Sequence, residues 1–310
     1  MSKLKRWHNK TWGDKVFIIT VYVICILLTL ICLYPLYFTV VASISNPRMV
    51  YHGDCYLIPK GINLNAYTQV FKNGDIWKGY ANTAFYTFFG TLFNLVLTIP
   101  AAYALSRPNF LGKSFIMKLF MITMYFGGGI IPTYIQIGNM GLMNTRILLV
   151  ILGGVSVYNV IVTRTFFQSN ISESLLEAAR IDGANEFYIF GRIVLPLSGA
   201  IIAVMTLYYA VGHWNSYFSA MIYISNNDLH PLQLVLRRIL ISGTALVTDT
   251  NQLSGTNKSD AALIAQAEKE YLALSMKYSL VFISSLPMLI MYPFVQKHFV
   301  KGVMVGSVKG

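Results

Sequence analysis

From Val16 to Ile44 the chain runs for 29 positions without a charged residue. As a helix that stretch rises about 43 Å, more than the roughly 30 Å of a bilayer's hydrocarbon core. In water such a segment would need cover on every side; in lipid it needs none. Five further stretches, at about 82–105, 115–138, 145–165, 199–223 and 278–296, are mostly apolar, with aromatic residues frequent towards their ends. Composition agrees: 55% of the 310 residues are apolar and 12% charged, about half the charge of an average globular chain. The sequence therefore predicts an all-α integral membrane protein with six transmembrane helices.

The basic lead Lys3, Lys5, Arg6, Lys10 and Lys15 precedes an apolar run far longer than the 7–15 residue core of a cleaved signal. The first span is thus expected to be retained, with Pro35 kinking its far end. If residues 1–15 are cytoplasmic, the inner segments 1–15, 106–118, 164–192 and 296–310 hold 14 of the 24 Lys and Arg in 72 residues, and the outer segments hold 10 in about 98. That bias follows the positive-inside rule and puts both termini in the cytoplasm. It also accounts for the net charge of +12 without a nucleic-acid partner. Cys25 and Cys32 read as small hydrophobes of the first span. Cys55 stands apart, and no Cys/His cluster has metal-ligand spacing.

Two outer loops are long. The first, about 45–81, carries turn residues followed by an amphipathic stretch with Tyr67, Val70 and Phe71 at helical spacing. The second, about 225–277, contains a polar tract from Ser242 to Ser259 and then Ala261 to Leu274, expected to form a short helix at the membrane surface. The tract is hydrated by composition. Within span three, Gly127-Gly128-Gly129 and Pro132 allow either a hinge or a close helix crossing, and close packing is the favoured reading.

The inner segment 168–197 has its own structural signals. Ser172 and Glu173 suit a helix start. Leu175, Leu176 and Ala179, then Phe187, Phe190, Ile193 and Val194, supply apolar faces on either side of Asp182-Gly183. The expected arrangement is helix, turn, helix, with Gly183 at positive φ.

The run Glu177-Ala178-Ala179-Arg180-Ile181-Asp182-Gly183-Ala184, followed by Phe190, Ile193 and Leu195-Pro196-Leu197, resembles the EAA loop of permease subunits of bacterial ABC importers. The spacing is similar to the carbohydrate-importing, maltose-permease-like branch. Trp214-Asn215 with Tyr217 and Phe218, and the closing stretch from Gln296 to Gly310, are similar to further segments of that family. The likeness spans about 80–310, and more loosely the first helix, and is nearest to oligosaccharide permeases of Gram-positive bacteria. The chain departs from the pattern at Ser198-Gly199-Ala200, where the family commonly has a second proline.

The resemblance implies the type I importer fold: a cytoplasmic segment 1–15, a transmembrane domain 16–310, an EAA loop 168–197 and a tail 297–310. It implies that Glu177, Ala178, Ala179, Asp182, Gly183 and Ala184 dock into an ATPase subunit, and that the tail, through Gly302, Gly306, Lys309 and Gly310, reaches the ATPase pair. The glycines are expected to keep that tail from forming an independent helix. The implied partners are two ATPase subunits, a second permease subunit of different sequence, an extracellular sugar-binding lipoprotein and membrane lipid, in a bacterial plasma membrane. ATP and Mg belong to the ATPase partners. This chain has no Gly-x-x-x-x-Gly-Lys-Ser/Thr loop, no constellation of catalytic residues and no cofactor of its own.

Polar residues within spans are costly in lipid and usually face an interior or water. Asn94, Asn159, Tyr209, His213, Trp214, Asn215 and Tyr217 are the candidates for the substrate path, aromatic rings stacking on sugar faces and polar groups meeting hydroxyls. The competing class, an ion-gradient-driven secondary transporter, would be expected to carry intramembrane carboxylates, whereas Asp and Glu here fall in loops and tails.

Overall fold

The computed structural model describes residues 11–241 and 260–306. The tract from Ser242 to Ser259 and, in the tail, Lys309 and Gly310 lie outside the described residues. The chain divides into two units, 1–72 with 240–283, and 73–239 with 284–310.

In the first unit, helix Trp12–Ile44 starts at Thr11, whose side chain accepts from the Asp14 amide, and runs on through Pro35. Its most apolar window has none of its residues buried, so almost the whole cylinder is left for lipid. Only the far end is covered: Ala42 packs with Val50 and Cys55, joined by Phe38, Leu274 and Tyr278. Between them, the first outer loop forms two short helices, Pro47–Tyr51 and Asn65–Lys72. The expected amphipathic stretch is the second of these, with Val70 buried and the Tyr67 hydroxyl 2.7 Å from Ser43 Oγ; Phe71, by contrast, is exposed. Arg48 meets Glu268 at 2.6 Å, and the rings of Tyr51 and Tyr271 lie edge to face 5.1 Å apart.

The second unit is organised on helix Gly74–Ser106, which starts eight residues before the expected span because Asn73 caps it, its side chain accepting from the Asp75 amide. Helices Arg146–Ile151, Val157–Asn170 and Gly199–Trp214 pack against it. The core between them holds Ile99, Ala102, Val160, Phe167, Leu176, Ile189 and Met205.

Three expected spans are not single helices. Span three breaks at Gly127–Gly129 into Lys113–Tyr125 and Ile130–Asn139, bent by 112°. Gly129 takes φ +81, and the space where Gly127 and Gly128 would carry a Cβ is open. The close packing favoured for these glycines is therefore absent among the described residues, and they act as a break. The stretch expected at 145–165 is divided between Arg146–Ile151 and Val157–Asn170, with Gly153 at φ +72 in between. Span five stops at Trp214, and Phe218–Tyr223 forms a separate short helix. Among the described residues three helices are long and apolar enough to cross a membrane, or five if each bent pair is one span.

The last helix, Asp260–Gly306, overturns two expectations. Ala261 to Leu274 is not a separate surface helix, because its Ala, Leu, Glu, Gln and Lys are good helix formers with no stop signal before the apolar part. The tail is helical as far as Gly306, since an established helix propagates past single glycines costing about 1 kcal/mol each.

The loop after the fifth span also contributes more than expected. Residues 232–241 are helical, with Leu232 and Val235 buried. Leu232 donates its amide to Thr83 Oγ1 at 2.7 Å, and Asn82 Nδ2 donates to the carbonyls of Asp228 and His230.

Candidate functional site

Helix Glu173–Ile181 begins at Ser172, although the Ser172 hydroxyl bonds Ser174 Oγ instead of a backbone amide. At 100° per residue, Leu176 and Ala179 share one face and both are buried. Glu177, Ala178 and Ile181 fall on the opposite face, and all three are exposed. The helix ends in a Schellman motif: Gly183, at φ +83, donates to the Arg180 carbonyl and Ala184 to the Ala179 carbonyl, each at 3.0 Å. The turn is capped again by Asn185, whose side chain accepts from the Tyr188 amide at 2.8 Å. The following helix, Glu186–Leu197, widens to π geometry over Ile189–Val194. Pro196 has no N–H to give the Arg192 carbonyl, which explains the widening in the turn before it.

The six predicted docking residues thus divide. Ala179 and Ala184 pack towards the core, while Glu177, Ala178, Asp182 and Gly183 form an exposed ridge. Two large apolar residues join the ridge, Ile181 at 86% exposure and Phe187 at 89%. Phe187 sits in the first turn after Asn185 and points away from the core that takes Ile189.

An ion-pair chain that the sequence reading did not single out braces this ridge. Arg107, at the end of helix Gly74–Ser106, reaches Glu173 at 3.1 Å and also donates to Ser106 Oγ and the Phe167 carbonyl. Glu173 meets Arg180 at 3.5 Å, and Arg180 meets Glu186 at 2.8 Å. Glu173 and Arg180 are seven apart, two helical turns, so their shared edge was legible; Arg107 was not. The arrangement ties the ridge to the end of helix Gly74–Ser106.

On the same unit, a cavity of about 360 Å³ is lined by Asn94, Asn159, Tyr208, Tyr209, His213 and Ser216, with Gly153, Ser156, Gly212, Ser219 and two leucines. The Gly153–Gly154 break leaves two carbonyls outside any helix, and Asn94 Nδ2 donates to both, at 3.0 and 2.8 Å. Such irregular backbone is tolerated in a membrane only where it is buried in protein or lines a cavity. Asn94 Oδ1 lies 2.7 Å from His213 Nε2. The His213 ring lies flat on Gly90, where a Cβ would overlap its Cε1 and Nε2. Tyr209 and Thr98 share a 2.7 Å hydrogen bond.

Four of the seven predicted path residues, Asn94, Asn159, Tyr209 and His213, therefore meet at one cavity, and Trp214, Asn215 and Tyr217 lie outside its lining. Trp214 is buried and donates Nε1–H to the Ser284 carbonyl at 3.1 Å. Tyr217 lies beneath the Arg237 guanidinium, 5.6 Å from it.

Residues 76–305 match the family described as "Binding-protein-dependent transport system inner membrane component". The chain is 34% identical to the Bacillus subtilis "Polygalacturonan/rhamnogalacturonan transport system permease protein YtcP", covering 96% of this chain and 99% of that one. It is 33% identical to Bacillus subtilis "Protein LplC" over the full length of both. Its fold superposes with a TM-score of 0.81, at 32% identity over 94% of this chain and 99% of the other, on a chain of the "bacterial ABC transporter involved in the import of the acidic polysaccharide alginate". The chain belongs to the binding-protein-dependent inner membrane components, the permease subunits of ABC importers.

Proposed function

We propose that this chain forms half of the path by which a bacterial ABC importer brings a sugar or oligosaccharide across the plasma membrane, and that it receives the stroke of an ATPase subunit on the Glu177–Phe187 ridge. The observation that carries the coupling role is the ridge itself, since Ile181 and Phe187 are large apolar side chains left exposed beside Glu177 and Asp182 on a support braced by Arg107, Glu173, Arg180 and Glu186. Exposed apolar groups rimmed by polar ones mark protein contact sites. The saccharide reading is supported by the polysaccharides for which relatives are named and by a cavity lined with hydroxyls, amides and tyrosines. No carboxylate lines that cavity, so it offers no ion-coupling group of the kind a secondary transporter needs.

In this reading two ATPase subunits supply ATP and Mg chemistry, a second permease of different sequence completes the path, and an extracellular binding lipoprotein delivers the substrate. Both termini are cytoplasmic, and the tail, including Gly302, Gly306, Lys309 and Gly310, lies towards the ATPase pair. Glu177→Ala and Phe187→Ser are expected to leave the chain in the membrane but to abolish ATP hydrolysis stimulated by the loaded binding protein. Normal stimulation in both variants would overturn the docking role.

A further inference from the structure

The polar groups around the cavity fall into two classes, those already used up inside the protein and those still open. Asn94, 1% exposed, is used up. Only its NH2 group can serve the carbonyls of Gly153 and Gly154, which fixes its Oδ1 towards His213. Tyr209 is engaged by Thr98 through a shared 2.7 Å hydrogen bond. Both residues hold the wall in place, and both hydrogens of the Asn94 amide are committed to it.

Asn94 also decides the state of its neighbour. Since Oδ1 accepts, His213 Nε2 must carry the hydrogen of the 2.7 Å contact, and in a neutral imidazole the other nitrogen, Nδ1, is then an acceptor. Nδ1 has no hydrogen-bond partner among the described residues and is not among the polar atoms sealed from solvent. Asn159 is a further open group, and the only open side-chain amide of the lining. It is 8% exposed, so more than nine-tenths buried, and lines the cavity. Its backbone amide is served by Ser156 Oγ, but its side-chain amide has no partner among the described residues and is likewise not sealed. A buried amide left open is costly unless something fills it.

We propose that Asn159 and His213 Nδ1 form a hydroxyl-reading subsite for one sugar ring of the transported saccharide, His213 accepting a hydroxyl hydrogen and Asn159 both donating and accepting, with Asn94 as the positioning residue that fixes the imidazole tautomer. This rests on the saccharide-import reading given above. A sugar hydroxyl donates one hydrogen bond and accepts others, so an acceptor-only nitrogen lining the same cavity as an open amide matches it, whereas an ammonium or guanidinium group would find no carboxylate in the lining. The volume lies near the lower end of the roughly 300–1,000 Å³ of small-molecule pockets, which suits one ring of a chain passing through in steps.

The test uses the complete transporter in cells deleted for their own saccharide importers, with uptake of radiolabelled trigalacturonate and β-1,4-galactotriose, and of monodeoxy derivatives of whichever is transported. His213→Gln keeps an amide nitrogen where Nε2 bonds Asn94 but removes the acceptor at Nδ1, and Asn159→Leu keeps size and removes the amide. One lost hydrogen bond corresponds to about a 3–10-fold rise in the KM of uptake. Each variant is expected to show that rise with fully hydroxylated substrate, and none with the monodeoxy derivative lacking the hydroxyl it reads. A rise of equal size for every derivative would mean a structural effect and would overturn the subsite, as would unchanged KM in both variants. If His213→Gln does not reach the membrane, Asn159→Leu decides alone, because the Asn159 side chain makes no hydrogen bond among the described residues. Failure of the unaltered transporter to take up either saccharide would overturn the import reading itself, and the subsite with it.

Discussion

Arg107 and Glu173 stand 66 positions apart, and their side chains meet at 3.1 Å. Arg107 is largely buried, with 10% of its side chain exposed, whereas Glu173 is more open at 38%. Removing the carboxylate leaves a nearly buried guanidinium without its counter-ion. A fully buried pair broken in this way costs about 3–5 kcal/mol, and the open side of Glu173 reduces that to about 1–3 kcal/mol. Glu173→Gln is therefore expected to lower the thermal midpoint of the detergent-solubilised chain measurably, while Glu177→Gln, three residues before Arg180 on the exposed ridge, leaves it within error. Equal midpoints for both would refute the bracing role of the chain of ion pairs.

Gly183 holds φ +83, a left-handed conformation that costs an L-residue with a Cβ about 1–2 kcal/mol. The space around it is open, so the cost is backbone strain and not a clash. Gly183→Ala is expected to weaken stimulated ATP hydrolysis severalfold, and Gly183→Asn to recover part of it, because asparagine tolerates this region better. Identical losses in both variants would point to crowding at the docking face instead.

Trp214→Phe deletes the Nε1–H that serves the Ser284 carbonyl at 3.1 Å while keeping an aromatic ring against Tyr80. Losing one such hydrogen bond costs about 0.5–1.5 kcal/mol. The expected result is lower thermal stability with the KM of uptake unchanged, checked by a melting curve beside a transport assay. A raised KM with unchanged stability would return Trp214 to the substrate path.

Helix existence and apolar character were legible because they rest on composition summed over many residues. Continuity was not, because single residues decide it. Gly153 sits inside an apolar run and reads as an ordinary span glycine, yet its φ of +72 ends one helix and frees the carbonyls that Asn94 then serves. The opposite error arose at Ala261 to Leu274, where a change from polar to apolar composition looked like a boundary although the backbone has no reason to stop. At the ridge, Glu177, Asp182 and Gly183 were named through the family resemblance, and the positive φ of Gly183 was anticipated from the Asp-Gly break. Arg107 was missed because its partner lies in another helix, which no local period records. Likewise Asn94 and Asn159 are the same residue type in apolar surroundings, and only three-dimensional neighbours distinguish the one that is satisfied from the one that is open.

The absence of a side chain at Gly90 lets the His213 imidazole lie flat against the Gly74–Ser106 helix. The two positions therefore cannot vary independently. Any residue larger than glycine at 90 would displace the ring, break its bond to Asn94 and turn Nδ1 away from the cavity, whereas a smaller residue at 213 would leave a void over 90. Related permeases that read a different solute are expected to change the pair together, and a library that randomises 90 and 213 jointly should recover transport-competent combinations that neither single library contains.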